Sequence, residues 1–123
     1  METQVLTNDD FKVYRAHVDG WLKKFGISEW SVEYQHAQIG DRVAAQVQYD
    51  CRAKSAVFRL TKVKEGDYGM GSTIEELALH EVLHLLIADY GWTASTVKDD
   101  MADVVVSHEH ELINRLMRVL KEK

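Results

Sequence analysis

His80, Glu81 and His84 stand in the run His80-Glu81-Val82-Leu83-His84, an HExxH motif. On an α-helix, residues i and i+4 project from one face with Cβ atoms about 5–6 Å apart, so two imidazoles at this spacing can close on one tetrahedral zinc ion. Glu81 follows the first histidine directly and lies beside the pair, where it can take a proton from a water activated by the metal. The chemistry needs this spacing as well as these residue types. Both histidines lie in an otherwise apolar stretch, with Leu77-Ala78-Leu79 before them and Leu85-Leu86-Ile87-Ala88 after. Burying two imidazoles and a carboxylate without partners is costly, and metal ligation offsets that cost.

A catalytic zinc takes three protein ligands and keeps a fourth position for water. The extended pattern HExxHxxGxxH fails, because Ile87 and Tyr90 occupy its glycine and third-histidine positions. Asp89, five residues beyond His84, points away from the pair on a continuous helix and reads as a solvated residue. The C-terminal segment offers a better ligand. Projected at about 100° per residue, Met101, Val105, Leu112, Leu116, Val119 and Leu120 share one arc, and Glu109 falls inside it. A carboxylate in an apolar arc needs a partner. The expected zinc site is therefore His80, His84 and Glu109. An arginine ion pair for Glu109 is the plain structural alternative, and His108 is the second choice of ligand.

These residues need elements to hold them. Thr7 or Asn8 can cap a helix in which Phe11, Tyr14, Val18, Leu22 and Phe25 recur at spacings of three and four, with Gly26 as its stop. Period-two alternation then predicts three half-buried strands, through Trp30, Val32 and Tyr34, through Val43, Ala45, Val47 and Tyr49, and through Ala56, Phe58 and Leu60. Short turns around Gly40-Asp41 and Arg52-Ala53-Lys54 make an antiparallel meander the simplest connection. The glycine-rich stretch from Glu65 to Gly71 matches no phosphate-binding fingerprint and reads as a connection, or as a flap beside a site. Ser72 or Thr73, with Glu75 or Glu76 three residues on, starts the HExxH helix. It is expected to end near Tyr90, with Gly91 as the stop. A last helix is predicted from about Val97 to Lys121. The expected class is α+β: an N-terminal helix, a three-stranded and mainly antiparallel sheet, the HExxH helix and a C-terminal helix, in one domain over 1–123.

Composition narrows the function. The chain has 123 residues, 46% hydrophobic and 28% charged, which suits one compact core. A net charge of −5 argues against a general nucleic-acid coat. Six basic residues, Arg42, Arg52, Lys54, Arg59, Lys62 and Lys64, face only Asp41 and Asp50 within the same stretch. That 42–64 region reads first as the solvated side of a sheet and second as a docking face for an acidic partner or nucleic acid. Trp21, Trp30 and Trp92 are scattered over the elements and read as core or rim residues. No run approaches the roughly 20 apolar residues of a membrane span. Met-Glu-Thr-Gln-Val at the start lacks the features of a signal peptide. Cys51 is the single cysteine, so no intrachain disulfide and no thiolate cage can form. A cytoplasmic location is expected.

With its HExLH helix followed by Glu109-His110-Glu111-Leu112-Ile113-Asn114-Arg115-Leu116, and with the strand Ala56-Val57-Phe58-Arg59-Leu60 before it, the chain resembles small zincin-like metallopeptidases of gluzincin type from phages and prophages. More distantly it resembles the minimal domains of SprT-like and ImmA-type proteins. It differs from long gluzincins at Ile113, where they carry an aspartate that supports a histidine. It also lacks the zinc ribbon of many SprT-like proteins. The resemblance implies a minimal zincin-like fold, a Zn²⁺ cofactor and a peptide or protein substrate, in the host cytoplasm if the gene is viral. Peptide hydrolysis would use Glu81 as general base, with the peptide paired along a strand edge, most simply Ala56–Thr61. Tyr68, His108, His110 and Arg115 are candidate oxyanion donors. The alternative is a zinc-binding regulatory or interaction protein of the same fold without useful peptidase activity, and a DNA-associated module is a third class.

Overall fold

A computed structural model describes residues 3–27, 29–40, 43–65 and 73–97, together with 113, 116, 117 and 120. The first helix, α1 (Asn8–Lys24), begins at Thr7 through a reciprocal cap. The Asp10 N–H donates to Thr7 Oγ1 at 3.2 Å, and the Thr7 N–H donates to the Asp10 carboxylate at 2.8 Å. Asp9 and Asp10 at its start and Lys23 and Lys24 at its end complement the helix dipole. It ends where Gly26 takes a φ of +74°. The Gly26 N–H then reaches the Lys23 carbonyl and the Ile27 N–H reaches the Leu22 carbonyl, the pairing of a Schellman stop. Tyr14, Val18 and Leu22 form its buried stripe.

The sheet contains three of the expected strands, β2 (Ser31–His36), β3 (Ala45–Asp50) and β4 (Ser55–Leu60). Alternation in β4 is strict: Ala56, Phe58 and Leu60 are buried, and Ser55, Val57 and Arg59 are half-buried. The order corrects the expected meander. β4 lies in the centre, antiparallel to β3 and parallel to β2, so the sheet is mixed. Alternation reports which side chains face the core and carries no information about which strand lies alongside. Between β2 and β3 the chain makes no hairpin, and the first strand joins the far edge of β4. β3 and β4 do form a hairpin, in which the Ala53 N–H donates to Asp50 Oδ1 at 3.1 Å and Lys54 adopts a φ of 54°.

A two-stranded ladder was not expected. β1 (Thr3–Val5) pairs antiparallel with β5 (Val63–Glu65), at the start of the glycine-rich stretch. Residues 66–72 lie outside the described residues.

α2 (Ile74–Val97) starts as expected at Thr73, whose Oγ1 accepts from the Glu76 N–H at 3.1 Å. It passes through Gly91 and does not stop there. A glycine inside a helix costs only about 0.5–1 kcal/mol, and without a switch to positive φ it does not end one. α1 and α2 pack on each other and on the inner face of the sheet around Tyr14, Val18, Phe58, Leu60, Ala78 and Val82. A second cluster joins Leu79, Leu83 and Ile87 of α2 to Ile113, with Leu116, Met117 and Leu120 at its margin. Ile113, Leu116, Met117 and Leu120 are helical, and the rest of the expected C-terminal helix beyond Val97 lies outside the described residues. Among the described residues no helix is long and apolar enough to cross a membrane.

Candidate metal centre

Two apolar arcs divide the surface of α2. Ala78, Val82 and Leu85 turn toward α1 and the sheet, and Leu79, Leu83 and Ile87 turn toward the C-terminal residues. At 100° per residue, His80 and His84 leave the helix between these arcs, on the side where Glu81 borders the sheet-facing one. Both histidines are half-buried. Their Nε2 atoms lie 3.1 Å apart, and their ring planes meet at 69°. Two nitrogens bound to one tetrahedral zinc at about 2.0–2.1 Å would stand about 3.3–3.4 Å apart. The spacing of the pair is close to that value. Without a cation, one ring must donate to the other.

Glu81 is 8% exposed. Burial pushes its carboxyl up to about 8, and the Val47 N–H acts in the opposite direction by donating to the carboxylate. The sheet explains why this N–H is available. The Thr61 N–H donates to the Ala44 carbonyl at 2.9 Å, so even-numbered residues of β3 exchange the ladder bonds with β4. Val47, opposite Phe58, then turns its N–H off the outer edge of β3, toward Glu81.

Tyr14 of α1 lies in the core cluster that also holds Ala78, Val82 and Leu85 of α2. Its side chain is fully buried and its hydroxyl has no hydrogen-bond partner. Burial raises the phenol above its ordinary range, and the charge of Glu81 acts in the same direction. An unsatisfied buried hydroxyl costs roughly 1–3 kcal/mol, so this position is an energetic anomaly in the core.

Of the site residues expected from the sequence, His80, Glu81 and His84 come together on α2. Glu109 lies outside the described residues, as do His108, His110, Arg115 and Tyr68. Among the described residues no group of three or more His, Cys, Asp or Glu side chains gathers as a metal site. Asp89 is half-buried, one residue beyond Ala88, whose carbonyl accepts from the Cys51 thiol at 3.7 Å. The expected peptide edge at Ala56–Thr61 is corrected, because β4 is the central strand and has a partner on each side. The outer edge beside Glu81 belongs to β3.

Two cations of the basic 42–64 stretch have partners within the fold. Arg59 donates to Gln35, Gln48 and Gln46 at 2.8, 2.8 and 3.3 Å on the outer face of the sheet, and Lys54 lies 3.8 Å from Glu29. Arg42 lies outside the described residues. Sequence reasoning missed the hydrogen bond from Val47 to Glu81 and the buried hydroxyl of Tyr14. Tyr14 was legible only as one member of an apolar stripe, and an N–H turned off a strand edge leaves no signal in residue type. Compared with known proteins, the chain matches no family model, no curated protein and no solved structure.

Proposed function

We propose that the protein is a zinc-dependent peptidase of minimal zincin-like type, in which His80, His84 and Glu109 hold Zn²⁺ and Glu81 is the general base. The observation that carries this reading is the pair of Nε2 atoms 3.1 Å apart beside a buried carboxylate. Glu109 is supported by Ile113. That residue, four positions after Glu109 in sequence, is fully buried against Leu79, Leu83 and Ile87 of α2. Bound zinc supplies Lewis acidity, polarising a carbonyl and acidifying water. Glu81 takes the proton of the attacking water and delivers it to the leaving amine. The Val47 N–H keeps the carboxylate turned toward the edge of β3. A substrate peptide laid along that edge, at Ala45–Asp50, would bring its backbone past Glu81.

The test has two stages. Elemental analysis of the purified chain is expected to give one zinc per molecule, lost in His80→Ala, His84→Ala and Glu109→Ala. A peptide-library digest is expected to yield zinc-dependent cleavage that falls roughly 10²–10⁴-fold in Glu81→Gln with zinc retained. Undiminished cleavage in that variant would remove Glu81 from the reaction. Stoichiometric zinc with no cleavage of any library peptide would favour the regulatory alternative.

A further inference from the structure

We propose that the outer edge of β2 is a self-association surface, along which two copies of the chain pair antiparallel about a two-fold axis at Tyr34 and join their sheets into one.

The backbone of β2 shows where the edge is open. The Ser31 N–H donates to the Lys54 carbonyl at 2.9 Å and the Ala37 N–H to the Leu60 carbonyl at 3.2 Å, so odd-numbered residues of β2 bond to β4. Val32, Tyr34 and His36 therefore turn their N–H and C=O groups off the sheet, and among the described residues no strand lies beyond them. Proteins keep such an edge from pairing with a proline, a bulge, an inward lysine or acid, or a very short strand. β2 has none of these. It runs six residues in unbroken register with β4, the chain has no proline, and the inward side chains are Val32, Tyr34 and His36.

Self-pairing selects its own register. With the axis at Tyr34, Val32 meets His36 of the second copy, and Glu33 meets Gln35 of the second copy, an acid against an amide. An axis at Glu33 would set two carboxylates face to face, which is repulsive. An axis at Gln35 would leave Val32 beyond the end of the opposing strand.

The helix above the edge matches the same axis. Phe11 stacks on His36 at 5.1 Å, and the Arg15 guanidinium lies 4.9 Å from the centre of the Tyr34 ring. α1 thus runs antiparallel to β2, with Arg15 level with the axis and drawn over its own Tyr34. Lys12 and Asp19, both exposed, line one cleft with Arg15 and Tyr34. They stand three residues before and four residues after Arg15. A two-fold rotation therefore brings Lys12 level with Asp19 of the second copy to within about 1.5 Å, one helical step. Cation and acid then face each other at both ends of the contact. Asp19 also meets Lys23 of its own helix at 3.0 Å, and an exposed carboxylate has oxygens for both. The opposite edge, β3 beside Glu81, stays open, so this pairing is independent of the peptidase reading.

Sedimentation of the full chain from micromolar to millimolar concentration is expected to show a monomer–dimer equilibrium. Amide hydrogen exchange is expected to show Val32, Tyr34 and His36 protected at high concentration and exchanging on dilution, with Glu33 and Gln35 protected throughout by β4. Gln35→Glu keeps the oxygen that accepts from Arg59 Nε at 2.8 Å and puts a carboxylate across from Glu33. It is expected to weaken the dimer about tenfold, since symmetry repeats the repulsion. Lys12→Glu and Asp19→Lys are each expected to weaken it several-fold, and both together in one chain to restore it. A chain that stays monomeric at millimolar concentration would overturn the proposal, as would a dimer in which the three edge amides exchange freely. Protection of those amides in a monomer would mean that one chain covers its own edge, and would overturn it equally. A double swap that fails to restore pairing would overturn the two-fold placement at Tyr34.

Discussion

On the outer face of the sheet, Arg59 is ringed by three glutamine side chains. On α2, His80, Glu81 and His84 are embedded among leucines, an alanine and a valine. The two regions use polar residues in opposite ways. Arg59 can only donate, so each glutamine turns its amide oxygen inward and its NH₂ outward to water, and the group is complete with solvent alone. On α2, Glu81 is buried and the two histidines are half-buried, with their Nε2 atoms 3.1 Å apart. A polar cluster on an open face can be completed by solvent, whereas a buried carboxyl depends on the protein groups around it.

This contrast can be broken from several directions. The largest loss of stability should come from the apolar layer that separates the regions. Phe58→Ala is expected to cost about 3–5 kcal/mol by denaturant titration, since the side chain is fully buried under both helices. High pH should come next. Tyr14, with its pKa raised by burial, stays protonated in the folded chain above pH 10, where an unfolded tyrosine ionises. Its contribution is fully present below pH 10 and declines by about 1.4 kcal/mol per pH unit as pH rises toward the folded pKa. Tyr34 shifts in the same direction. Thermal scans from pH 9 to 11 should therefore show a steep loss of stability, shallower in Tyr14→Phe.

Glu81→Met sharpens the contrast through its sign. Removing the buried carboxyl is expected to stabilise the metal-free chain by about 1–3 kcal/mol while abolishing activity, the signature of a group kept for function. A loss of stability there would place Glu81 with ordinary structural residues. Arg59→Ala, the smallest effect, should cost less than about 1 kcal/mol in the same titration.

Much of this was readable from residue order. Thr7, Gly26 and Thr73 mark their helix ends because capping is local chemistry, and Ala56, Phe58 and Leu60 declare the inner face of β4 through period two. The HExxH pair was legible because helical spacing alone brings His80 to His84. What escaped depends on partners distant in the chain. The parallel placement of β2 beside β4, the ladder of Thr3–Val5 with Val63–Glu65, and the approach of Val47 to Glu81 all arise from tertiary docking. Gly91 misled because a favourable stop residue does not compel a stop when the helix beyond it continues.

The central position of β4 also has a kinetic consequence. β3 and β4 are joined by the short 51–54 turn and can associate with little loss of chain entropy, whereas β2 must close a loop that contains the whole of β3 before it meets the same strand. The hairpin is thus the natural nucleus. The strand that steadies Glu81 therefore belongs to the local hairpin, whereas β2, whose Val32 and Tyr34 pack on the same core as α2, depends on the longer closure.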